Sequence, residues 1–214
     1  MDFDGDGKPD IIGGTFEGFV YLVRGRGDGL FEEPRKLEDR NGKLIHLGEF
    51  WDYAGSRWGK EYSVGTEDLG IYPLAVDWDG DGDLDILFGG FRGVLGIRIN
   101  EGSREEAVFS GKNLPVLAEK KPVKLGSGLS PAFADWDGDG RPDLLCAVKG
   151  KVYYFRNLSR EGVPEFGKPE VLIERPSQYP RLAVGDFNGD GKTDLVLGAW
   201  NKKKKGMVWL YSRK

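Results

Sequence analysis

Four near-identical acidic runs constrain this chain more than any other feature. DFDGDG begins at Asp2, DWDGDG at Asp77 and again at Asp135, and DFNGDG at Asp186. Their starts lie 75, 58 and 51 residues apart. The shortest interval is close to the roughly 50-residue unit of some propeller repeats. The longer intervals read as the same unit carrying insertions.

The segments around each run predict strands. In the third repeat SPAFADW enters the acidic loop and DLLCAVK leaves it; KVYYFRNL and FGKPEVLIE follow. The second repeat offers YPLAVDW, DLDILFGG, GVLGIRIN and LPVLAEK, the fourth PRLAVGDF, TDLVLGAW and GMVWLYS, and the first DIIGGT, FVYLVRG and EEPRKLE. These are short runs rich in β-branched and aromatic residues, punctuated by Gly, Pro and Asp. No segment of twelve or more residues carries helical periodicity. The expectation is an all-β propeller of four blades with about fourteen strands, three, four, four and three. The blades fall at about 1–40, 71–120, 129–175 and 179–214, with an insertion at 41–70. The first repeat has no strand before its loop and the fourth none after GMVWLYS. A partial propeller is therefore expected, completed by a second copy or by flanking sequence.

The loops have metal-binding chemistry. Acids stand at positions one, three, five and nine: Asp2, Asp4, Asp6 and Asp10; Asp77, Asp79, Asp81 and Asp85; Asp135, Asp137, Asp139 and Asp143. The last loop has Asp186, Asn188, Asp190 and Asp194. Four carboxylates within nine residues repel one another unless a hard cation neutralises them. Ca²⁺ takes six to eight oxygens, whereas Mg²⁺ demands a strict octahedron and keeps its waters. Gly at position six permits a sharp turn. Position seven (Lys8, Asp83, Arg141, Lys192) would contribute its backbone carbonyl. Up to four Ca²⁺ are expected, the last bound more weakly because Asn188 removes a charge. An EF-hand needs Glu at position twelve and helical flanks. Position twelve here is Gly13, Phe88, Cys146 or Leu197.

The pattern D-[FW]-[DN]-G-D-G-x-x-D-[IL], set between strands, resembles the FG-GAP or VCBS repeat found in the integrin α-subunit head. The resemblance spans nearly the whole chain. It implies that each loop binds structural Ca²⁺ between the first two strands of a blade, that ligands bind on the opposite end of the ring, and that the protein works outside the cell or at its surface.

Other features fit an interaction module. The insertion 41–70 holds His46, Glu49, Trp51, Asp52, Tyr53, Arg57, Trp58 and Tyr62. Aromatic faces beside acids and Arg would suit a sugar; the competing reading is that they pack the loop or cap a missing blade. Lys202–Lys205 would form a hairpin tip, solubilising or docking an anionic surface. Phe3, Trp78, Trp136 and Phe187, at position two of each loop, are expected to pack between blades. Cys146 reads as a small buried apolar residue.

A net charge of −4 gives no sign of a nucleic-acid partner. One Cys and one His exclude a disulfide framework and a multi-histidine metal site within the chain. No apolar run reaches the roughly 20 residues of a membrane span. No signal peptide is visible, and Met1 is compatible with a truncated chain. The chain lacks G-x-S-x-G, HExxH and phosphate-loop motifs. The expectation is a non-catalytic, Ca²⁺-stabilised module binding carbohydrate or an extracellular protein, with a homodimer able to complete the ring. The alternatives are a Ca²⁺-dependent polysaccharide lyase or hydrolase, with His46 and Glu49 or Tyr53 and Arg57 as acid and base, and a self-assembling structural half-propeller.

Overall fold

The computed structural model describes residues 1–15, 18–46, 51–52, 57–58, 71–90, 93, 95–175, 178–201 and 205–213. Among them there is no helix, so none is long and apolar enough to cross a membrane.

Four antiparallel meanders form the blades. The first sheet contains β1 (Ile11–Gly14), β2 (Val20–Val23) and β3 (Arg35–Lys36). A two-residue hairpin follows in the insertion, β4 (Trp51–Asp52) with β5 (Arg57–Trp58). The second sheet runs β6 (Ile71–Val76), β7 (Asp85–Gly90), β8 (Leu95–Arg98) and β9 (Leu114–Pro115). A second hairpin, β10 (Leu117–Ala118) with β11 (Lys121–Pro122), leads on to the third sheet. This contains β12 (Ser130–Ala134), β13 (Asp143–Val148), β14 (Lys151–Phe155) and β15 (Glu170–Glu174). The fourth sheet is β16 (Gln178–Gly185), β17 (Asp194–Asn201) and β18 (Lys205–Tyr211). The blades therefore hold three, four, four and three strands, as the repeat pattern predicts.

Strand β13 shows why these sequences stack. Successive side chains point to opposite faces of a sheet. Leu144 and Cys146 enter the core shared with the second blade, while Leu145 and Ala147 enter the core shared with the fourth. A sheet covered on both faces needs a continuous apolar run, and DLLCAV is buried throughout. The same holds for DILFGG in β7, whose Ile86 and Phe88 face the first blade and whose Leu87 faces the third. Cys146 is buried as expected, and burial pushes its thiol pKa up.

Close approach between blades requires two glycines. A Cβ on Gly14 would stand 2.2 Å from the carbonyl oxygen of Ile71, and one on Gly89 2.3 Å from that of Leu129. At the equivalent Gly198 of the fourth blade, the nearest atoms belong to its own sheet, at 3.9 Å or more.

The strands nearest the centre line a common cavity of about 790 Å³. Ile12–Gly14, Ile71–Leu74, Ser130–Pro131 and Arg181–Leu182 contribute to its wall. Across it, the Arg181 guanidinium lies 3.7 Å from the centre of the Tyr72 ring.

The two ends of the stack are uncovered. Val20, Leu95, Val152 and Val208 occupy one register position on the second strand after the acidic loop. The first three are 0% exposed beneath the next blade, while Val208 is 73% exposed. At the other end Ile86, Leu144 and Leu195 are 0% exposed against the preceding blade, while the equivalent Ile11 is 47% exposed. The position-two aromatics follow the same logic. Phe3 and Trp78 are buried, and Trp136 is half-buried against the fourth blade. Phe187 departs from the expected packing and is 50% exposed, because no sheet among the described residues covers the far face of the fourth blade.

Candidate metal centres

The second, third and fourth acidic loops each turn between two strands and the first leads into β1, and glycine permits the turn. In the second loop Gly80 and Gly82 have φ of 80° and 93°, a region costly for residues with a Cβ. The turn folds the position-one carboxylate over the loop amides. Asp77 Oδ1 accepts from Gly80 N at 2.8 Å, Asp135 Oδ1 from Gly138 N at 2.7 Å, and Asp186 Oδ1 from Gly189 N at 2.6 Å.

The position-nine acid braces the blade. Asp10, Asp85, Asp143 and Asp194 are all buried. One oxygen of each accepts the amide of the position-two residue: Phe3 at 2.7 Å, Trp78 at 3.0 Å, Trp136 at 3.1 Å and Phe187 at 3.2 Å. The other oxygen accepts an amide just beyond the second strand after the loop: Gly25 at 2.8 Å, Asn100 at 2.7 Å, Asn157 at 2.8 Å and Arg213 at 3.0 Å. A single carboxylate thus ties the loop to the strand two places across the sheet. This second role was not legible in the spacing, which reports only an acid four residues after position five.

Positions one, three and five converge in the first two loops. Carboxylate oxygens of Asp2, Asp4 and Asp6 lie within 4.8 Å of one another, as do those of Asp77, Asp79 and Asp81. In the third loop the set is Asp135, Asp137 and Asp143. Buried oxygens without a hydrogen-bond partner remain on Asp2, Asp4, Asp79 and Asp83. Clustered hard oxygen donors with unsatisfied lone pairs fit a hard cation such as Ca²⁺. Asn188 keeps an oxygen in the fourth loop, where its Nδ2 donates to Asp190 Oδ2 at 3.3 Å.

Electrostatics differ among the loops. Burial raises the pKa of Asp79, followed by its neighbours Asp81 and Asp77. Burial likewise pushes Asp83 up to about 6 and Asp85 up to about 7. In the third loop the hydrogen bond from Arg156 holds Asp139 below the usual carboxylate range, and in the first a hydrogen bond from Lys8 does the same for Asp6. The basic partners at these loops, Arg24, Arg104, Arg156 and Arg213, were not singled out by the sequence reading. Arg104 Nη2 donates to the Asp2 carbonyl at 3.1 Å, and Arg213 Nη2 to the Asp137 carbonyl at 2.8 Å.

The insertion is described only in part. His46 pairs with Phe19 in a β-bridge, and their rings meet edge-on at 5.1 Å. The Asn113 side-chain amide donates to the His46 carbonyl at 2.8 Å. Trp51 and Asp52 pair with Trp58 and Arg57 along the backbone of the first hairpin. Glu49, Tyr53, Tyr62 and Lys202–Lys204 lie outside the described residues.

Stacked blades of three or four strands, each carrying an acidic Gly-rich turn, define a propeller-type repeat protein. The FG-GAP-like repeat model matches residues 2–88, 77–146 and 135–197, and the chain belongs to that family. It is 30% identical over 118 residues to integrin alpha-3 of Mus musculus, covering 48% of this chain and 11% of the integrin. It is 26% identical over 168 residues to a T-cell immunomodulatory protein homolog of Plasmodium falciparum (isolate 3D7), covering 71% of this chain and 23% of that protein. The chain thus spans less than a quarter of the length of either relative. A solved structure described as the basis of N-acetylglucosamine recognition by an Agrocybe aegerita lectin aligns with 99% of this chain and 70% of its own, at 17% identity and a TM-score of 0.44.

Proposed function

We propose that this chain is a Ca²⁺-stabilised, non-catalytic interaction module acting outside the cell or at its surface, and that it engages protein through its uncovered blade faces. The observation that carries this reading is the exposure of Val208, with Leu210 beside it on the same face, at positions that are buried in the other three blades. Fully burying side chains of this size is worth roughly 1.5–3 kcal/mol each, so an open face of this kind favours association. The partner proposed is a second copy. The Val208 face and the Ile11 face are, by register, the two halves of an inter-blade contact. A head-to-tail pair with two-fold symmetry would use both and give a ring of about eight blades.

Light scattering on the Ca²⁺-loaded chain tests this. A dimer is expected, and Val208→Asp or Ile11→Asp should each weaken it. Mixing the two variants should restore mixed dimers through the one intact contact. A wild-type monomer at all concentrations would overturn the dimer, and mass growing without limit would overturn ring closure. The carbohydrate reading rests on the 41–70 insertion. A glycan array with and without chelator measures it independently, and a turnover assay on acidic polysaccharides tests the lyase alternative.

A further inference from the structure

The four loops differ in who supplies their positive charge. The residue one place beyond the second strand after each acidic loop is Arg24, Ile99, Arg156 or Ser212. Arg24 Nε lies 2.9 Å from Asp4 Oδ2, and Arg156 Nε lies 2.8 Å from Asp137 Oδ2. Both therefore pair with the position-three acid of their own loop. Arg156 also reaches Asp139 Oδ2 at 3.0 Å. Position seven reinforces the pattern. Lys8 pairs with Asp6 at 2.9 Å and Arg141 pairs with Asp139, but the second loop has Asp83 there.

The second loop thus places five carboxylates within nine residues. Among the described residues, none of these five has a basic side chain as an ion-pair partner. An independent observation marks the same loop: Asp83 is only 5% exposed, and its Oδ1 is buried without a hydrogen-bond partner. Asp79 Oδ1 is in the same condition. A buried carboxylate oxygen with no donor costs free energy that a bound cation would remove.

We propose that the second loop is the high-affinity Ca²⁺ site of the chain, with Asp83 adding a side-chain ligand from position seven. Arg24 and Arg156 act as built-in cations in the first and third loops and must be displaced before Ca²⁺ binds there. Affinity in such loops follows the number of charged ligands, which places the fourth loop, with Asn188 and Lys192, among the weaker ones. The inference rests on the calcium reading above.

Calorimetric titration of Ca²⁺ into the metal-free 214-residue chain tests it. One tight event followed by weaker ones is expected. Asp83→Asn should weaken the tight event about tenfold or more, the loss of one charged ligand. The double variant Arg24→Ala/Arg156→Ala should tighten the first and third loops while leaving the second unchanged, a gain that misfolding does not produce. Equivalent wild-type sites, or weak sites left unchanged in the double variant, would overturn this inference and leave the calcium reading standing. The absence of any Ca²⁺ binding would overturn both.

Discussion

A carboxylate that accepts two buried amides behaves differently from one that faces water. Asp143 holds the amides of Trp136 and Asn157, so Asp143→Ala would leave two buried donors without partners. Each such donor costs about 1–3 kcal/mol. A loss of roughly 2–6 kcal/mol is expected in urea unfolding with chelator present, against a much smaller loss for the exposed Asp139→Ala. Burial also gives the loops a pH signature in the absence of metal. Asp83 and Asp85 have folded pKa values of about 6 and about 7, above the unfolded value near 3.9. A raised acid contributes stability that is fully present below the unfolded pKa and is lost as pH rises through the folded one. In chelator, the melting temperature should therefore fall between about pH 4 and pH 7. Asp83→Asn and Asp85→Asn should flatten that slope, and saturating Ca²⁺ should suppress it. Positions one, three, five and nine were legible in the sequence because their spacing repeats. Arg24 and Arg156 were not, because only the folded sheet brings the end of the second strand after a loop back to that loop some 20 residues earlier.

The blades themselves were readable because two-faced burial leaves a mark. Central strands such as DILFGG and DLLCAV are apolar without interruption, and Gly, Asp and Pro separate the runs. Contacts between blades left less. Nothing local in FNGD says that Phe187 has no neighbouring sheet, and the same pattern is half-buried or buried in the other repeats. Glycine does report those contacts when equivalent positions are compared. Gly89→Ala would drive a Cβ against the Leu129 carbonyl and should cost about 1–3 kcal/mol as the second and third blades separate. Gly198→Ala meets nothing closer than 3.9 Å and should change stability by less than about 0.5 kcal/mol. Thermal melts of the two single variants check this pair.

At the scale of the whole molecule, the chain is a row of sheets held together by three apolar contacts and pinned at one end by acidic turns. The pinning runs between blades as well as within them. Thr193 Oγ1 donates to the Asp135 carbonyl at 2.9 Å, and Arg104 reaches from the second blade to the first loop. A cation bound at a loop would therefore order both a turn and the neighbouring sheet that grips it. Thermal unfolding with millimolar Ca²⁺ and with chelator, at constant pH and ionic strength, tests this account most directly. A single site filled at a hundredfold excess over its Kd adds about 2.7 kcal/mol to the folded state. For a chain of this length that corresponds to a rise of roughly 5–10 °C in Tm. Calcium should raise the melting temperature by at least that much, and superimposable curves would contradict the claim that these loops are calcium-dependent pins of the fold.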